Sequence, residues 1–252
     1  AAPNATVPVV SLTATNGATN VDAVIVPKGT GSLAANVADG TSAGGGKRGA
    51  RAVDWQTQRT SSGQVASGNN SVIAGGQNNI ASGNFSVIGG GAGNTVSASN
   101  ATVAGGISCQ ATSTYATIGG GNTNIAGGAY SFIGGGNANT ASANFSAVGG
   151  GSSNAASGDY SAVLGGFQAS TRGLYGTWAW ASGTFASQGD AQEQHAVLRA
   201  TTTNATTTGL AADGGTPAAA TSVALPNNSM CCFEATVSAK VATFGDRAAF
   251  KI

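Results

Sequence analysis

Residues able to support acid–base chemistry are few in this chain, which has nine Asp and Glu residues and one His. Asp190 and Glu193 are the one candidate pair for glycoside hydrolysis, a reaction that needs two carboxyl groups several Å apart. We interpret them instead as solvated turn residues. His195 is the only histidine for a Ser-His-Asp triad, and no strand-to-helix turn with a Gly-x-Ser-x-Gly motif supports one. We therefore expect no catalytic residues and a protein that is not an enzyme.

Metal and cofactor sites are equally unsupported by the sequence. Cys109, Cys231, Cys232 and His195 are too few, at these spacings, for a zinc site. Cys231 and Cys232 are neighbours that would point to opposite faces of a strand, so free thiols are expected. The glycine-rich segments lack the Lys-Ser/Thr of a phosphate-binding loop. We predict neither a metal nor a cofactor.

One basic cluster stands out before the middle of the chain, formed by Lys47, Arg48 and Arg51 and followed by Trp55. It is either a solvated loop or a docking contact with an acidic partner, and Trp55 either packs locally or anchors in a neighbouring protein. The net charge of +1 predicts no nucleic-acid partner and no anionic membrane. No apolar stretch is long enough to span a bilayer, and no signal peptide is visible.

The composition explains why these groups are so sparse. Only 8% of the residues are charged, against about 25% in an average soluble domain. Glycine contributes 41 residues but proline only 5, which is unlike ordinary disorder. Such a chain predicts neither a conventional enclosed core nor a disordered tail.

A repeat of 15 residues organises the chain from Val65 to Ala169, in seven units without insertion or deletion, and a degraded eighth unit follows to residue 184. Position nine is always Ile or Val and predicts a buried core column. Positions eleven and twelve are always Gly and predict turns that need a positive φ or leave no room for a Cβ. The core column is Ile73, Ile88, Val103, Ile118, Ile133, Val148 and Val163. The turn glycines are Gly75, Gly76, Gly90, Gly91, Gly105, Gly106, Gly120, Gly121, Gly135, Gly136, Gly150, Gly151, Gly165 and Gly166.

Three further columns support a stacked β structure. Position two is Ala in six units and Val96 in the other. Position six is aromatic in five units, at Phe85, Tyr115, Tyr130, Phe145 and Tyr160. Position fifteen is Asn in five units, and identical Asn residues in successive turns can form a hydrogen-bonded ladder: Asn79, Asn94, Asn124, Asn139 and Asn154.

These columns predict an all-β fold, a β-solenoid or β-roll of 15-residue coils with two short strands and two turns per coil. Its core is thin, because each coil buries about one Ile or Val and one Ala. At about 0.8 kcal/mol per buried CH₂, that burial does not offset ordering 15 residues at about 1–2 kcal/mol each. We therefore expect chains to pack against one another, as a homotrimer.

The sequence divides into three regions around this stalk. Residues 1–64 form an irregular segment expected to attach to a partner, residues 65–184 form the β-solenoid stalk, and residues 185–252 form a small β module. In that module Phe233 to Val241 alternate apolar and polar side chains, as in a half-buried strand. Residues 247–252 alternate again, and the sequence stops within this predicted strand, so we expect the natural product to extend past Ile252.

Two groups of proteins resemble this chain. The segments SVIGGG (86–91) and NIASG (79–83) resemble the head repeats of trimeric autotransporter adhesins, which form trimeric β-rolls, and virion fibre or spike proteins of tailed bacteriophages. The flanks favour the phage group. The segments DAVIVPKGTGSL (22–33), GGGKRGARAVDWQTQR (44–59) and QVASG (64–68) are similar to what precedes such repeats, and residues 189–215 are similar to the module that follows them.

The resemblance implies a non-enzymatic structural or attachment protein of a phage virion, made in the host cytoplasm. It would be a trimeric fibre, spike or capsid-bound projection. Its expected partners are two copies of itself, other capsid or tail proteins and a host surface receptor. The alternative is a bacterial surface trimeric adhesin. An ice-binding solenoid is not supported, because position eight carries no column of Thr.

Overall fold

The structure, a computed structural model, describes residues 31–36 and 38–198, and the backbone of two strands at 236–240 and 247–251. Within these residues it contains strands and turns but no helix, so the predicted all-β class is confirmed. The strands are β1 (Leu33–Ala34), β2 (Val53–Asp54), β3 (Val72–Ile73), β4 (Ile80–Ala81), β5 (Val87–Ile88), β6 (Thr95–Val96), β7 (Thr102–Val103), β8 (Gln110–Ala111), β9 (Thr117–Ile118), β10 (Ile125–Ala126), β11 (Phe132–Ile133), β12 (Thr140–Ala141), β13 (Ala147–Val148), β14 (Ala155–Ala156), β15 (Ala162–Gly166), β16 (Trp178–Gly183), β17 (Ala191–His195), β18 (Thr236–Lys240) and β19 (Arg247–Lys251).

The strands from β1 to β17 build a β-solenoid of about 9 turns, as the repeat predicts. Sheet 1 runs β1-β2-β3-β5-β7-β9-β11-β13-β15-β16-β17, and sheet 2 runs β14-β12-β10-β8-β6-β4. From β1 to β15 the pairing is parallel and in register, so that Ile73 lies beside Ile88 and Ala81 beside Val96. The same repeat position therefore stacks on itself from coil to coil.

A third line of contact joins the coils, which the sequence did not predict. Position thirteen forms single parallel bridges between successive coils, from Gln77 with Ala92 to Ser152 with Phe167. Each coil consequently has three hydrogen-bonded sides rather than two. Turns with positive φ separate these sides at positions six and fourteen, as in Phe85 (φ 57°) and Asn78 (φ 57°).

The interior is narrow and consists of small and β-branched side chains. All seven Ile and Val residues of position nine are buried, and the Ala or Val of position two is buried opposite them. The Ser hydroxyls of position seven are buried as well, and the Ser86 Oγ donates to the Gly83 carbonyl at 2.6 Å. This bond closes the turn within one coil, because it joins residues three apart.

The two glycine columns differ in what they require, which corrects the sequence prediction. At position twelve Gly91 has φ +88°, and a Cβ there would lie 2.0 Å from the carbonyl oxygen of Gly106 in the next coil. At position eleven Gly90 has nothing within 4 Å of such a Cβ, and its φ lies outside the left-handed region. Only the second glycine of each pair is therefore imposed by close approach of the next coil.

Sheet 1 does not end at the predicted borders of the stalk. In the N-terminal region β2 pairs with β3, and β1 pairs with β2, both in parallel. At the other end β17 adds to β16 in antiparallel fashion, which ends the parallel stacking. The strands β18 and β19 form a separate antiparallel hairpin that matches both alternating segments predicted near the C-terminus. The segment VDAVIVP (21–27), which the sequence predicts to be a strand, lies outside the described residues.

Candidate functional site

The two acids considered for hydrolysis have other contacts. Asp190 accepts hydrogen bonds from the backbone N–H groups of Phe185, Ala186 and Ser187 over 2.8, 2.6 and 2.7 Å. These hydrogen bonds lower the pKa of Asp190, and the bond from Ser187 contributes most. Glu193 instead pairs with His195, with 2.8 Å between Oε1 and Nε2, in an exposed position on β17. Asp190 thus organises the turn before β17.

The remaining candidates for chemistry do not assemble either. The segment Gly40–Gly44 matches Gly-x-Ser-x-Gly, but it lies in a turn at the opposite end of sheet 1 from His195, and no helix follows it in the described chain. Cys109 is a buried free thiol, whereas Cys231 and Cys232 lie outside the described residues. No group of three His, Cys, Asp or Glu side chains that could hold a metal occurs in residues 31–36 and 38–198.

The predicted docking cluster separates into buried and exposed members. Arg48 is buried and pairs with the buried carboxylate of Asp54, with 3.0 Å between Nε and Oδ2, so it is not available to a docking partner as a surface charge. Lys47 and Arg51 are exposed, and Trp55 is 47% exposed. Arg48 is buried because Asp54 lies beside Ile73 in the core column, where its carboxylate needs a buried counter-charge.

Asp54, Gln56 and Arg59 are the functional residues of this end that sequence analysis missed. Asp54 accepts from Arg48 and Arg59, and Gln56 Oε1 accepts the Asn79 N–H at 2.9 Å. Gln56 thereby begins the chain of side-chain bonds that the Asn column continues. The sequence does not reveal them because the pairs Leu33–Val53 and Val53–Val72 are not separated by 15 residues, so this end departs from the repeat.

A continuous apolar surface covers the outer side of sheet 1, and we call it the flat face. Its side chains alternate with the buried core column, as strand geometry requires. No charged residue of any kind lies between Arg59 and Asp159, so the flat face is uncharged over all the regular coils. It consists of Val72, Ala74, Val87, Gly89, Thr102, Ala104, Thr117, Gly119, Phe132, Gly134, Ala147, Gly149, Ala162 and Leu164.

Large apolar side chains on the flat face are strongly exposed. Phe132 is 46% exposed and Leu164 is 61% exposed, and Trp180 on the adjoining strand β16 is 48% exposed. Contiguous exposed apolar surface on a soluble protein usually marks an interaction site. Because Gly and Ala dominate the rest of the face, another flat β surface can approach it closely.

Sheet 2 has a different, hydroxyl-rich outer side. Position three, at the end of each sheet 2 strand, carries an exposed Ser or Thr in six of the seven units, and Gly127 is the exception. Position one of the same strands also lies outside and is mixed, with Ile125 38% exposed and Thr95, Gln110 and Thr140 among the others, so the outer side of sheet 2 is more polar than the flat face. The hydroxyl column at position three was not recognised from the sequence. It comprises Ser67, Ser82, Ser97, Thr112, Ser142 and Ser157.

The aromatic column of position six is exposed, and its four rings on consecutive coils, from Tyr115 to Tyr160, stack on one another. Centroid separations are 4.7 Å for Tyr115–Tyr130, 5.0 Å for Tyr130–Phe145 and 4.8 Å for Phe145–Tyr160. Tyr175 extends the column with a tilted ring at 5.2 Å. Since each ring covers the face of the next, the column exposes ring edges and stabilises the corner between coils.

No protein-family model matches the chain, and no curated protein gives a significant match. In the part of the chain that the structure describes, no helix is long and apolar enough to cross a membrane.

Proposed function

We propose that the chain is a non-enzymatic structural and attachment protein of a bacteriophage virion, which forms a homotrimeric fibre, spike or capsid-bound projection. The observation that carries the proposal is the flat face, which is uncharged from Arg59 to Asp159 and lies on a rigid solenoid. The assignment to a phage virion rests in addition on the resemblance of the repeats and of both flanks to phage fibre proteins.

The flat face supports self-association for two reasons. Its length over seven coils is about 33 Å at the spacing of parallel strands, long enough for extended side-by-side contact. Its Ala and Gly residues allow close backbone approach, while exposed Phe132 and Leu164 gain from burial. Three rods with their flat faces turned to a common axis leave the hydroxyl column and the aromatic column outside.

Attachment to the particle is assigned to the N-terminal end of the solenoid. Trp55, Lys47 and Arg51 are exposed there, and an exposed Trp beside cations is a common anchor in protein interfaces. A deletion of residues 1–50 would not test this assignment, because it removes Arg48 and leaves Asp54 buried with one partner fewer. Point substitutions at the exposed side chains are the sharper experiment.

We therefore compare Trp55→Ser with Phe185→Ser, which removes an exposed aromatic side chain at the opposite end of the solenoid. Both variants should remain trimers. Chains per particle, counted by quantitative mass spectrometry of purified virions, should fall strongly for Trp55→Ser alone. Equal incorporation of both variants contradicts N-terminal docking. Absence of the wild-type chain from virions, with its presence on a bacterial surface, favours the adhesin.

The non-enzymatic assignment has its own test. Purified trimer incubated with host capsule polysaccharide or lipopolysaccharide should release no reducing ends. Release that Asp190→Asn or Glu193→Gln abolishes overturns the assignment.

A further inference from the structure

Three charged side chains are buried together at the N-terminal end of the solenoid. Arg48, Asp54 and Arg59 have side-chain exposures of 1%, 0% and 0%. Asp54 Oδ2 accepts from Arg48 Nε at 3.0 Å and from Arg59 Nη2 at 3.1 Å, and its Oδ1 accepts the Gln56 N–H at 3.3 Å. One carboxylate therefore serves two guanidinium groups, which leaves an excess positive charge in the interior.

The hydrogen-bond donors of the two arginines are not used equally. Arg59 donates through Nε to Gln64 O, through Nη1 to Ala43 O and through Nη2 to Asp54 and Gln56 O. Arg48 donates through Nε to Asp54 and through Nη1 to Gly44 O and Gly46 O. Arg48 Nη2 is buried and has no partner among the residues that the structure describes.

Arg48 also forms part of the wall of a recess of about 290 Å³, whose other described wall residues are Ser32, Ala34, Ala35, Asn36 and Ala38. The methyl groups suit the hydrocarbon part of a ligand, and the Ser32 hydroxyl can supply a second donor. The described residues that line the recess include no acid, so among them nothing balances the excess positive charge of the Arg–Asp–Arg cluster.

The surroundings reinforce this excess of positive charge. Lys47 and Arg51 are exposed near Arg48 in sequence. The nearest acid in the N-terminal direction, Asp39, is exposed and accepts hydrogen bonds from the Thr41 N–H at 2.9 Å and hydroxyl at 2.7 Å. A buried guanidinium with an unpaired nitrogen, in a residue that lines a recess and among an excess of cations, fits an oxyanion.

We propose that this recess is a binding site for a carboxylate, which pairs with Nη2 of Arg48 and balances the buried Arg–Asp–Arg cluster. A singly charged group is favoured over phosphate because the cluster carries one uncompensated charge and one unpaired nitrogen. Since Nη2 is buried, binding requires a displacement of the described wall residues 32, 34–36 and 38 that exposes this nitrogen. The site takes free carboxylates in solution and an Asp or Glu side chain in a complex, and it stands independently of the virion assignment.

The first test is a crystal structure of the wild-type protein grown in sodium acetate and of a second crystal grown in sodium chloride alone. An acetate oxygen within about 2.7–3.2 Å of Arg48 Nη2 in the first crystal is the expected result. A water molecule or a carboxylate of this chain, such as Asp22, on Nη2 in both crystals overturns the proposal.

The second test is the melting temperature in acetate relative to chloride at equal ionic strength, because a ligand that binds only the folded state raises it. We expect acetate to raise the melting temperature of the wild type and of Arg51→Gln, the control that removes a neighbouring exposed charge. Arg48→Lys, which keeps the charge but loses the second nitrogen, should not respond. An equal effect of the two salts on the wild type, or a full response of Arg48→Lys, contradicts the site. If Arg48→Lys does not fold, the crystals and the wild-type comparison decide.

Discussion

Asn94 donates its backbone N–H to the side-chain Oδ1 of Asn79, the residue at the same repeat position one coil earlier, over 2.9 Å. In turn Nδ2 of Asn79 donates to the carbonyls of Gly75 and Gly91. Asn124, Asn139 and Asn154 repeat this arrangement. The Asn column is therefore a ladder of side-chain to backbone bonds, in which each buried amide joins two coils.

The ladder is interrupted at Cys109, which occupies the Asn position of its coil. The Cys109 N–H still donates to Asn94 Oδ1 at 2.9 Å, but a sulfur atom replaces the oxygen that would accept the next N–H. We predict that Cys109→Asn raises the free energy of unfolding by about 1–3 kcal/mol, at about 1 kcal/mol per added hydrogen bond. Chemical denaturation of the purified protein measures this, with Cys109→Ser as the control that lacks the reach. An unchanged or lower stability of Cys109→Asn contradicts the ladder's importance.

The two glycines of one turn should respond oppositely to alanine. Gly91→Ala places a Cβ 2.0 Å from the Gly106 carbonyl oxygen at φ +88°, so we expect a loss of about 4 kcal/mol or more, or failure to fold. Gly90→Ala meets nothing within 4 Å and should be neutral or stabilising by about 0.4–1 kcal/mol. Thermal unfolding of the two variants measures the difference in stability. Similar losses of stability for Gly90→Ala and Gly91→Ala would contradict the distinction between the two glycines.

Association through the flat face can be tested with two Thr→Arg substitutions within one coil. Thr117 lies on the flat face, whereas Thr112 is exposed in the hydroxyl column of sheet 2. Thr117→Arg would bury an unpaired charge between chains and should dissociate or prevent the trimer, while Thr112→Arg should leave it intact. Native mass spectrometry should find three chains for the wild type and Thr112→Arg. A folded wild-type monomer, or a trimer of Thr117→Arg, contradicts the proposed interface.

Acid should weaken the turn that Asp190 organises. Its pKa is lowered from the ordinary value of 3.8, so its stabilising effect is present above that value and is lost as the pH falls through the lower folded pKa. Asp190→Asn should melt at a lower temperature than the wild type at pH 7, with a difference that shrinks below about pH 4. Melting curves of both proteins from pH 7 to pH 2 measure this difference in melting temperature. The pKa of Asp39 is also lowered, but Asp39 is present in both proteins, so its effect cancels in the difference. A constant difference across this range excludes the carboxylate as its cause.

The regular coils could be predicted from the sequence because their information is local and repeated. Ile or Val recurs at position nine every 15 residues. These side chains are buried when each coil stacks position nine on the same position of the neighbouring coil, as Ile73 lies beside Ile88. The short strands, the core column, the Asn ladder and the two alternating strands near the C-terminus follow from such patterns, whereas the pairing of those two strands does not. The uncharged surface is likewise visible in the sequence, since charge is a property of single residues.

Only the tertiary structure decided which residues face which neighbours between coils. Gly90 and Gly91 look alike in sequence, yet the next coil's carbonyl oxygen approaches only Gly91. Arg48 belongs to an exposed-looking basic run, yet it is buried because Asp54 takes the core position beside Ile73 across an irregular coil. Burial and close approach depend on residues far apart in the chain, and once the spacing departs from 15 the sequence no longer indicates which residues those are.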